Sequence, residues 1–241
     1  NFGNKLIATI VDGATFEWDS DATGATSTRA TIVANCPTAS LQTLVSTPDR
    51  HLIAFGTETI IGTASTQDDM YIRWSDQESI NATTSWAPSA TNTAGTQRLA
   101  DGTRIVAAIR GRDAIYVWTD TSLFIMRFVG APFVFSFQQV GTNCGLIGKN
   151  AAVEVDGSAY WMSENGFFRY TGQLQSLPCL VEDYVYDDLA SVPRQHIYAG
   201  LNNLFGEVTW FYPNSGAASN SRSVTYNYMD SSGERPIWTT S

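Results

Sequence analysis

The residues nearest to a recognisable piece of chemistry are Gly141-Thr-Asn-Cys-Gly-Leu-Ile-Gly148-Lys149-Asn150, whose glycines and lysine approach the spacing of a phosphate-binding loop. Such a loop works because its glycines let backbone N–H groups converge on phosphate oxygens, while a lysine and a Ser or Thr hydroxyl reach the phosphates and magnesium. Here Asn143 stands where the first glycine belongs, Asn150 replaces the hydroxyl residue, and a strand-like run follows instead of a helix. The segment is expected to be a tight connection between β units, with glycines supplying positive φ. Nucleophilic catalysis fares no better. The two histidines, His51 and His196, each open a predicted strand, and neither lies in a G-x-S-x-G elbow. Both read as hydrogen-bonded histidines at sheet ends. They are too far apart in sequence to form a helical or hairpin metal pair. Cys36, Cys144 and Cys179 are odd in number and lack any C-x-x-C pair, so neither a disulfide framework nor a zinc module is indicated, and buried free thiols are expected. No catalytic, cofactor-binding or metal-binding residue is assigned; the chain reads as a non-enzyme without a cofactor.

The elements that would position any of these residues are strands. Short alternating runs of Val, Ile, Tyr, Phe, Trp and Thr recur between polar turn clusters, and helical periodicity is scarce. One unit runs Ile105–Ile109, Ala114–Trp118 and Ser122–Phe128; a second runs Ala151–Val155, Ala159–Met162 and Phe167–Tyr170, with Asp156-Gly157 and Asn165-Gly166 as hairpin turns. Degenerate copies lie at His51–Phe55 with Met70–Trp74, and at His196–Ala199 with Val208–Tyr212. Lys5–Val11 with Ala14–Trp18 reads as half of another. A large residue closing the second strand at Trp74, Trp118, Met162 and Tyr212 gives a period of about 44–50 residues.

That period, with three or four strands per unit, is what a β-propeller blade requires, because each small sheet buries both faces against its neighbours. The fold expected is all-β: one β-propeller domain over 1–241, with units near 5–50, 51–100, 101–148, 149–195 and 196–241. Four to five blades are few for a ring of six or seven, so the chain reads as part of a larger propeller. One short helix is expected at 180–189, bracketed by Pro178 and Pro193, with Glu182, Asp183, Asp187 and Asp188 as its solvated face. The polar stretch Asn81–Gly95 reads as an insertion outside the propeller core, and it carries the sequon Asn81-Ala-Thr83.

Composition narrows the function. Hydrophobic residues make up 43% of the chain, which suits a folded core, and no apolar run approaches a membrane-spanning length. With 23 acidic against 14 basic residues and only two lysines, Lys5 and Lys149, the basic footprint of a nucleic-acid binder is missing. Glycosidase propellers need a converging Arg or carboxylate cluster, and Arg104, Arg110, Arg112, Asp113 and Asp120 fall on the turns of a single unit. Trp74-Ser-Asp-Gln-Glu-Ser79 and Trp118-Thr-Asp-Thr-Ser122 are similar to the Ser-x-Asp turn of sialidases but lack its Gly-x-Thr-Trp half.

The order of Tyr71–Glu78, Asp101–Ala108, Ile115–Phe124, Val140–Gly148, Tyr160–Gly166 and Val181–Val185 resembles the β-propeller tail hub, tail nozzle or packaged-DNA stabilisation proteins of short-tailed bacteriophages, over roughly residues 50 to 212. The resemblance implies a non-enzymatic virion component of the phage tail: a homo-oligomeric ring, usually a hexamer, below the portal and adaptor, which continues the DNA channel and plugs it until ejection. Packaged DNA would pass without sequence-specific binding, and no membrane would be involved. An acidic chain suits such a channel, since attraction to phosphates needs Lys and Arg, although net negative charge also simply favours solubility. Strand edges and the Asn81–Gly95 loop would serve subunit contacts. The competing reading is a carbohydrate-binding or carbohydrate-active propeller, a receptor-binding or depolymerising tail component, in which tryptophans outside the repeat, Trp86 and Trp238, stack on sugars. A generic scaffold for protein partners is a third.

Overall fold

The structure is a computed structural model that describes residues 2–22, 29–47, 49–189, 193–232 and 235–241. It is all-β apart from one helix and two short 3-10 turns, and its strands form five antiparallel sheets in chain order. The first holds β1 (Lys5–Thr9), β2 (Thr15–Asp19) and β3 (Thr31–Ile32); the second β4 (Ser40–Val45), β5 (Leu52–Thr57), β6 (Tyr71–Trp74) and β7 (Gly95–Arg98). The third holds β8 (Ile105–Arg110), β9 (Ile115–Thr119), β10 (Ser122–Gly130) and β11 (Val134–Thr142); the fourth β12 (Ala152–Val155), β13 (Ser158–Ser163), β14 (Gly166–Tyr170) and β15 (Leu174–Leu177). After α1 (Glu182–Leu189) comes the fifth, β16 (Tyr198–Asn202), β17 (Glu207–Tyr212), β18 (Arg222–Asn227) and β19 (Ile237–Thr240). Sheets two to five are four-stranded meanders, the repeated blades that the sequence pattern predicts.

The repeat is carried by a large aromatic residue in the second strand of each of sheets two to five, facing an alanine on the first strand in sheets three to five. Trp118, Trp161 and Trp210 are all fully buried, and their cross-strand partners on β8, β12 and β16 are Ala107, Ala152 and Ala199. Alanine leaves room for an indole to lie over the first strand and reach the neighbouring sheet, and large rings buried this way dominate core energetics. Trp118 meets Trp161 edge-on at 5.4 Å, and Trp210 lies 5.0 Å from Phe167 of the preceding blade. The indole N–H of Trp161 donates to the Cys144 carbonyl at 2.7 Å and that of Trp210 to the Ala151 carbonyl at 2.9 Å, tying each blade to the chain entering or leaving the one before. In the second sheet Phe55 takes this place, opposite Gln42.

This placement corrects the sequence register. Trp74 sits in the third strand of its sheet, where it packs edge-on against Phe135 at 5.3 Å, so it is not the counterpart of Trp118. The boundary drawn at residue 50 moves as well: Ser40–Val45 pairs with β5, so this strand belongs to the second sheet. The first sheet also runs against the pattern. Thr9 Oγ1 lies 2.6 Å from Thr43 Oγ1 while the Asp12 amide donates to the Ser40 carbonyl at 2.9 Å, so β1 runs antiparallel to β4. Between later blades first strands adjoin: Asn150 forms a parallel bridge to Tyr198, and the Gln42 side chain bonds to both the N–H and C=O of Ala108.

The Asn81–Gly95 stretch is not an appendage. Trp86 is buried with its N–H on the Ile80 carbonyl, and the Arg73 guanidinium donates to the Trp86 carbonyl from one side and to the Glu58 and Thr59 carbonyls from the other. The buried Glu58 carboxylate accepts from the backbone N–H and hydroxyl of Thr38 and from the N–H groups of Gly62 and Thr63. Residues 82–84 and the crest at 87–91 are exposed. Asp76 fastens the far end of the stretch: its carboxylate accepts from the Thr93 N–H at 2.8 Å, the Thr93 hydroxyl at 2.7 Å and the Gln77 N–H at 3.0 Å.

Helix α1 begins two residues later than the proline bracket suggests, leaving Leu180 exposed, and it buries Val185 and Leu189. Tyr186 anchors it: the phenol donates to the Ser163 carbonyl at 2.6 Å and accepts from the Gly166 N–H at 3.1 Å, and burial pushes its pKa far up. Asp183 and Asp187 face solvent as expected, whereas Asp188 pairs with Arg222 at 3.6 Å.

Two predictions follow from the packing and the clamp. Trp161→Ala should cost about 3–5 kcal/mol, read as a lowered midpoint in equilibrium denaturation, while the same truncation at half-buried Trp18 should cost clearly less. Desolvation acts to raise the pKa of Asp76, but its three hydrogen bonds outweigh that and hold it below the ordinary value. The stabilisation is therefore present above the unfolded value of about 4 and is lost as pH falls through the lower folded value. Hydrogen exchange at the Thr93 amide should accelerate in that acid window and should lose this pH dependence in Asp76→Asn.

Candidate functional site

First strands border a cavity of about 1100 Å³, lined by Ile7 and Thr9 of β1, Leu41, Gln42 and Thr43 of β4, and Val106, Ala108 and Ile109 of β8. Its mouth is built from residues at one end of these strands and from the segments entering the fourth and fifth sheets. Around the mouth in chain order stand Asp12, Gln67 and Asp69, then Arg104, then Lys149 and Asn150, then Arg194 and Gln195. The mouth is therefore acidic on the side of the first two sheets and basic on the other. Asp12 accepts from the Gln67 amide at 2.9 Å. Arg194 is committed to Glu164 at 2.8 and 2.9 Å. No ion pair or hydrogen bond of the Arg104 or Lys149 side chain appears among the described residues.

The glycine-rich segment helps to shape this mouth but does not cradle phosphate. The Cys144 and Leu146 amides donate to the Thr121 and Thr119 carbonyls, and the Ile147 amide to Met162, so these N–H groups are already used. Positive φ falls on Asn143, at 55°, and on none of the three glycines, which corrects the expectation drawn from sequence. The glycines serve close approach instead. A Cβ on Gly145 would stand 2.2 Å from the Asp120 backbone, and one on Gly148 would stand 2.2 Å from the Arg194 carbonyl oxygen. Gly148 thus presses the Lys149 segment against the Arg194 segment and brings two basic residues to the same rim.

The charged turn residues of the third sheet do not converge. Arg104 and Asp120 lie at the end that opens on the large cavity, where Asp120 accepts from the Thr103 N–H at 2.8 Å and from its hydroxyl; these bonds outweigh desolvation and keep its pKa low. Arg110, Arg112 and Asp113 lie at the opposite end, around a smaller cavity of about 250 Å³ shared with Ser46, Asp49 and Phe128. A single strand length separates the two groups, because β8 runs from one end of the sheet to the other. The sequon residue is likewise occupied: the Asn81 side-chain amide donates to Glu17 at 3.1 Å and its carbonyl accepts from the Ala34 N–H at 3.0 Å.

His51 is fully buried, and its Nδ1–H donates to the Ser75 carbonyl at 2.7 Å, the sheet-end role read from sequence. That bond fixes the tautomer and leaves Nε2 without a partner, beside the Phe135 ring at 5.3 Å. His196 is half-buried in a short turn before the fifth sheet, with its carbonyl accepting from Asn220 at 2.9 Å. The three cysteines are free thiols, two buried and one half-buried. Burial pushes Cys36 up to about 12, and Cys144 and Cys179 up to about 11. Among the described residues no three His, Cys, Asp or Glu side chains gather as a metal site.

The tryptophans proposed to stack on sugars are used internally. Trp86 is buried beneath its own loop. Trp238 is half-buried against Phe167 and Tyr226, each at 4.8 Å, with its N–H on the Pro178 carbonyl at 2.8 Å. Sequence reasoning missed the charge separation at the cavity mouth, because the residues that make it are scattered over Asp12 to Gln195 and only the end-to-end alignment of first strands gathers them.

No protein-family model matches the chain, and no curated protein is significantly similar to it. The raised thiol pKa values give a direct check on the buried environments: at pH 8 the native protein should react slowly with an aromatic disulfide reagent at all three cysteines, fastest at Cys179, and unfolding in denaturant should release three reactive thiols at once.

Proposed function

We propose that the chain is a structural assembly module, a bladed part of the tail hub or nozzle of a short-tailed bacteriophage, acting by shape and subunit packing in a ring below the portal and adaptor. What supports the proposal is the order of segments between residues 50 and 212, which resembles that class and runs along consecutive blades. The burial of Trp86, Trp118, Trp161 and Trp210, and the packing of Trp238 against Phe167 and Tyr226, support a role in shape over a role in stacking sugars. The net charge of −9 agrees with a wall past which DNA moves without adhering.

A ring of identical chains needs a heterologous, closing contact. The surface most suited to it is the tip of the long β10–β11 hairpin. These two nine-residue strands outreach the other strands, and the tip exposes Phe128, Val129 and Phe133, the last at 78%. Apolar residues clustered at an exposed tip mark contact sites more often than chance exposure does. The Asn81–Gly95 loop, pinned by the buried Ser85 and Trp86, exposes mainly small and polar residues at 82–84 and 87–91.

Phe133→Asp should therefore shift the protein from rings toward monomers in mass photometry while leaving the circular dichroism and denaturation midpoint unchanged. Rings that persist undiminished in Phe133→Asp and in Val129→Asp would remove the hairpin from the interface.

A further inference from the structure

We propose that the mouth of the large cavity is a binding site for a small anion carrying carboxylate or phosphate groups, held between Arg104 and Lys149. The inference is independent of ring assembly and concerns each single chain.

Three observations converge on it. The chain has only 14 basic residues and two lysines, yet one of those lysines and an arginine stand at the mouth of the 1100 Å³ cavity with no carboxylate partner among the described residues. Five other cations are ion-paired, Lys5 with Glu17, Arg50 with Glu78, Arg98 with Asp68, Arg194 with Glu164 and Arg222 with Asp188, whereas Arg110, Arg112 and Arg127 lie outside this cavity. Secondly, both cations are positioned by rigid backbone. The Asp120 amide donates to the Arg104 carbonyl at 3.1 Å, and the next residue, Ile105, donates its amide to the Asp69 carbonyl at 2.9 Å. Lys149 lies between Gly148, which must be glycine to fit against Arg194, and Asn150, whose carbonyl accepts from the Ala199 N–H at 2.7 Å. Thirdly, the cavity of about 1100 Å³ has room for a small ligand, and Ile7, Val106 and Ile109 give its lining an apolar part.

The same lining sets the size of the ligand. Asp12 and Asp69 stand across the mouth from the basic rim, so an extended polyanion crossing the opening meets like charge, whereas a compact anion seated on the basic side does not. A guanidinium and an ammonium converging on one oxyanion give charge-assisted hydrogen bonds, the strongest kind available to an exposed site. The apolar wall would take the uncharged body of an organic acid or phosphoester.

Isothermal titration of the full chain at constant ionic strength with inorganic phosphate, with citrate and with a single-stranded oligonucleotide tests the site. Saturable one-to-one binding of phosphate or citrate is expected, with the stronger of the two identifying the favoured group. Arg104→Gln and Lys149→Gln should each weaken it by about tenfold or more, and Arg127→Gln, at an exposed position on β10 outside the cavity, should leave it unchanged. Both tested side chains sit at the surface, so circular dichroism should show the variants folded. Absence of binding by phosphate and citrate, equal loss in Arg127→Gln, or saturable binding of the oligonucleotide alone would overturn the proposal.

Discussion

An indole laid across an alanine on the neighbouring strand, and from there into the next sheet, is the contact on which the rest of this protein depends. It recurs at Trp118 over Ala107, Trp161 over Ala152 and Trp210 over Ala199. A four-stranded meander has two apolar faces and cannot bury both alone, so each sheet is stable only when its neighbour is in place. The ring that bridges two sheets makes blade and interface a single packing unit. The consequence is cooperative: a cavity opened at Trp161 weakens both the fourth blade and its contact with the third. Gln42 bonded to Ala108, and Asn150 bonded to Ala199, add hydrogen-bonded stitches where first strands adjoin.

This architecture also decides where chemistry can be placed. The broad faces of the sheets are spent on packing, and the aromatic residues with them, so polar groups are left to the strand ends. Because first strands run side by side, their ends form two separated rims. That is why Arg104 and Arg110, six residues apart in sequence, stand at opposite ends of the molecule, and why Lys149, remote in sequence from Arg104, shares its rim. A glycine-rich connection that resembles a phosphate loop by composition proves to be a spacer, with its amides used by neighbouring carbonyls. Its contribution to any site is to deliver Lys149 to the rim.

Much of the fold was legible because it is written locally. Asp156-Gly157 marks a two-residue hairpin turn, and both residues do take positive φ, at 49° and 85°. The alternation through Ile105–Phe128 and Ala152–Tyr170 gave strands close to those observed. What escaped was register across insertions. The second sheet carries thirteen residues between β5 and β6 and twenty between β6 and β7, so Trp74 fell at the right interval for the wrong reason. β4 was hidden because Gln42 and Thr43 face a cavity instead of a core, which breaks the apolar alternation. The antiparallel run of β1 beside β4 rests on long-range contacts that no local pattern encodes. The candidate site was legible only in fragments: Arg104 and Lys149 were each visible, but their common rim depends on the side-by-side alignment of first strands.

The central claim, that the chain works by assembling into a tail ring, is tested most directly by the mass and symmetry of the intact assembly, from mass photometry and electron-microscopy class averages of the full-length protein. The account predicts a closed ring with an axial pore, as heterologous closure of identical subunits requires, and of about six copies, the number the resemblance to tail hub proteins implies. A monomer at concentrations well above those in the particle, or a trimer without a channel, would contradict it.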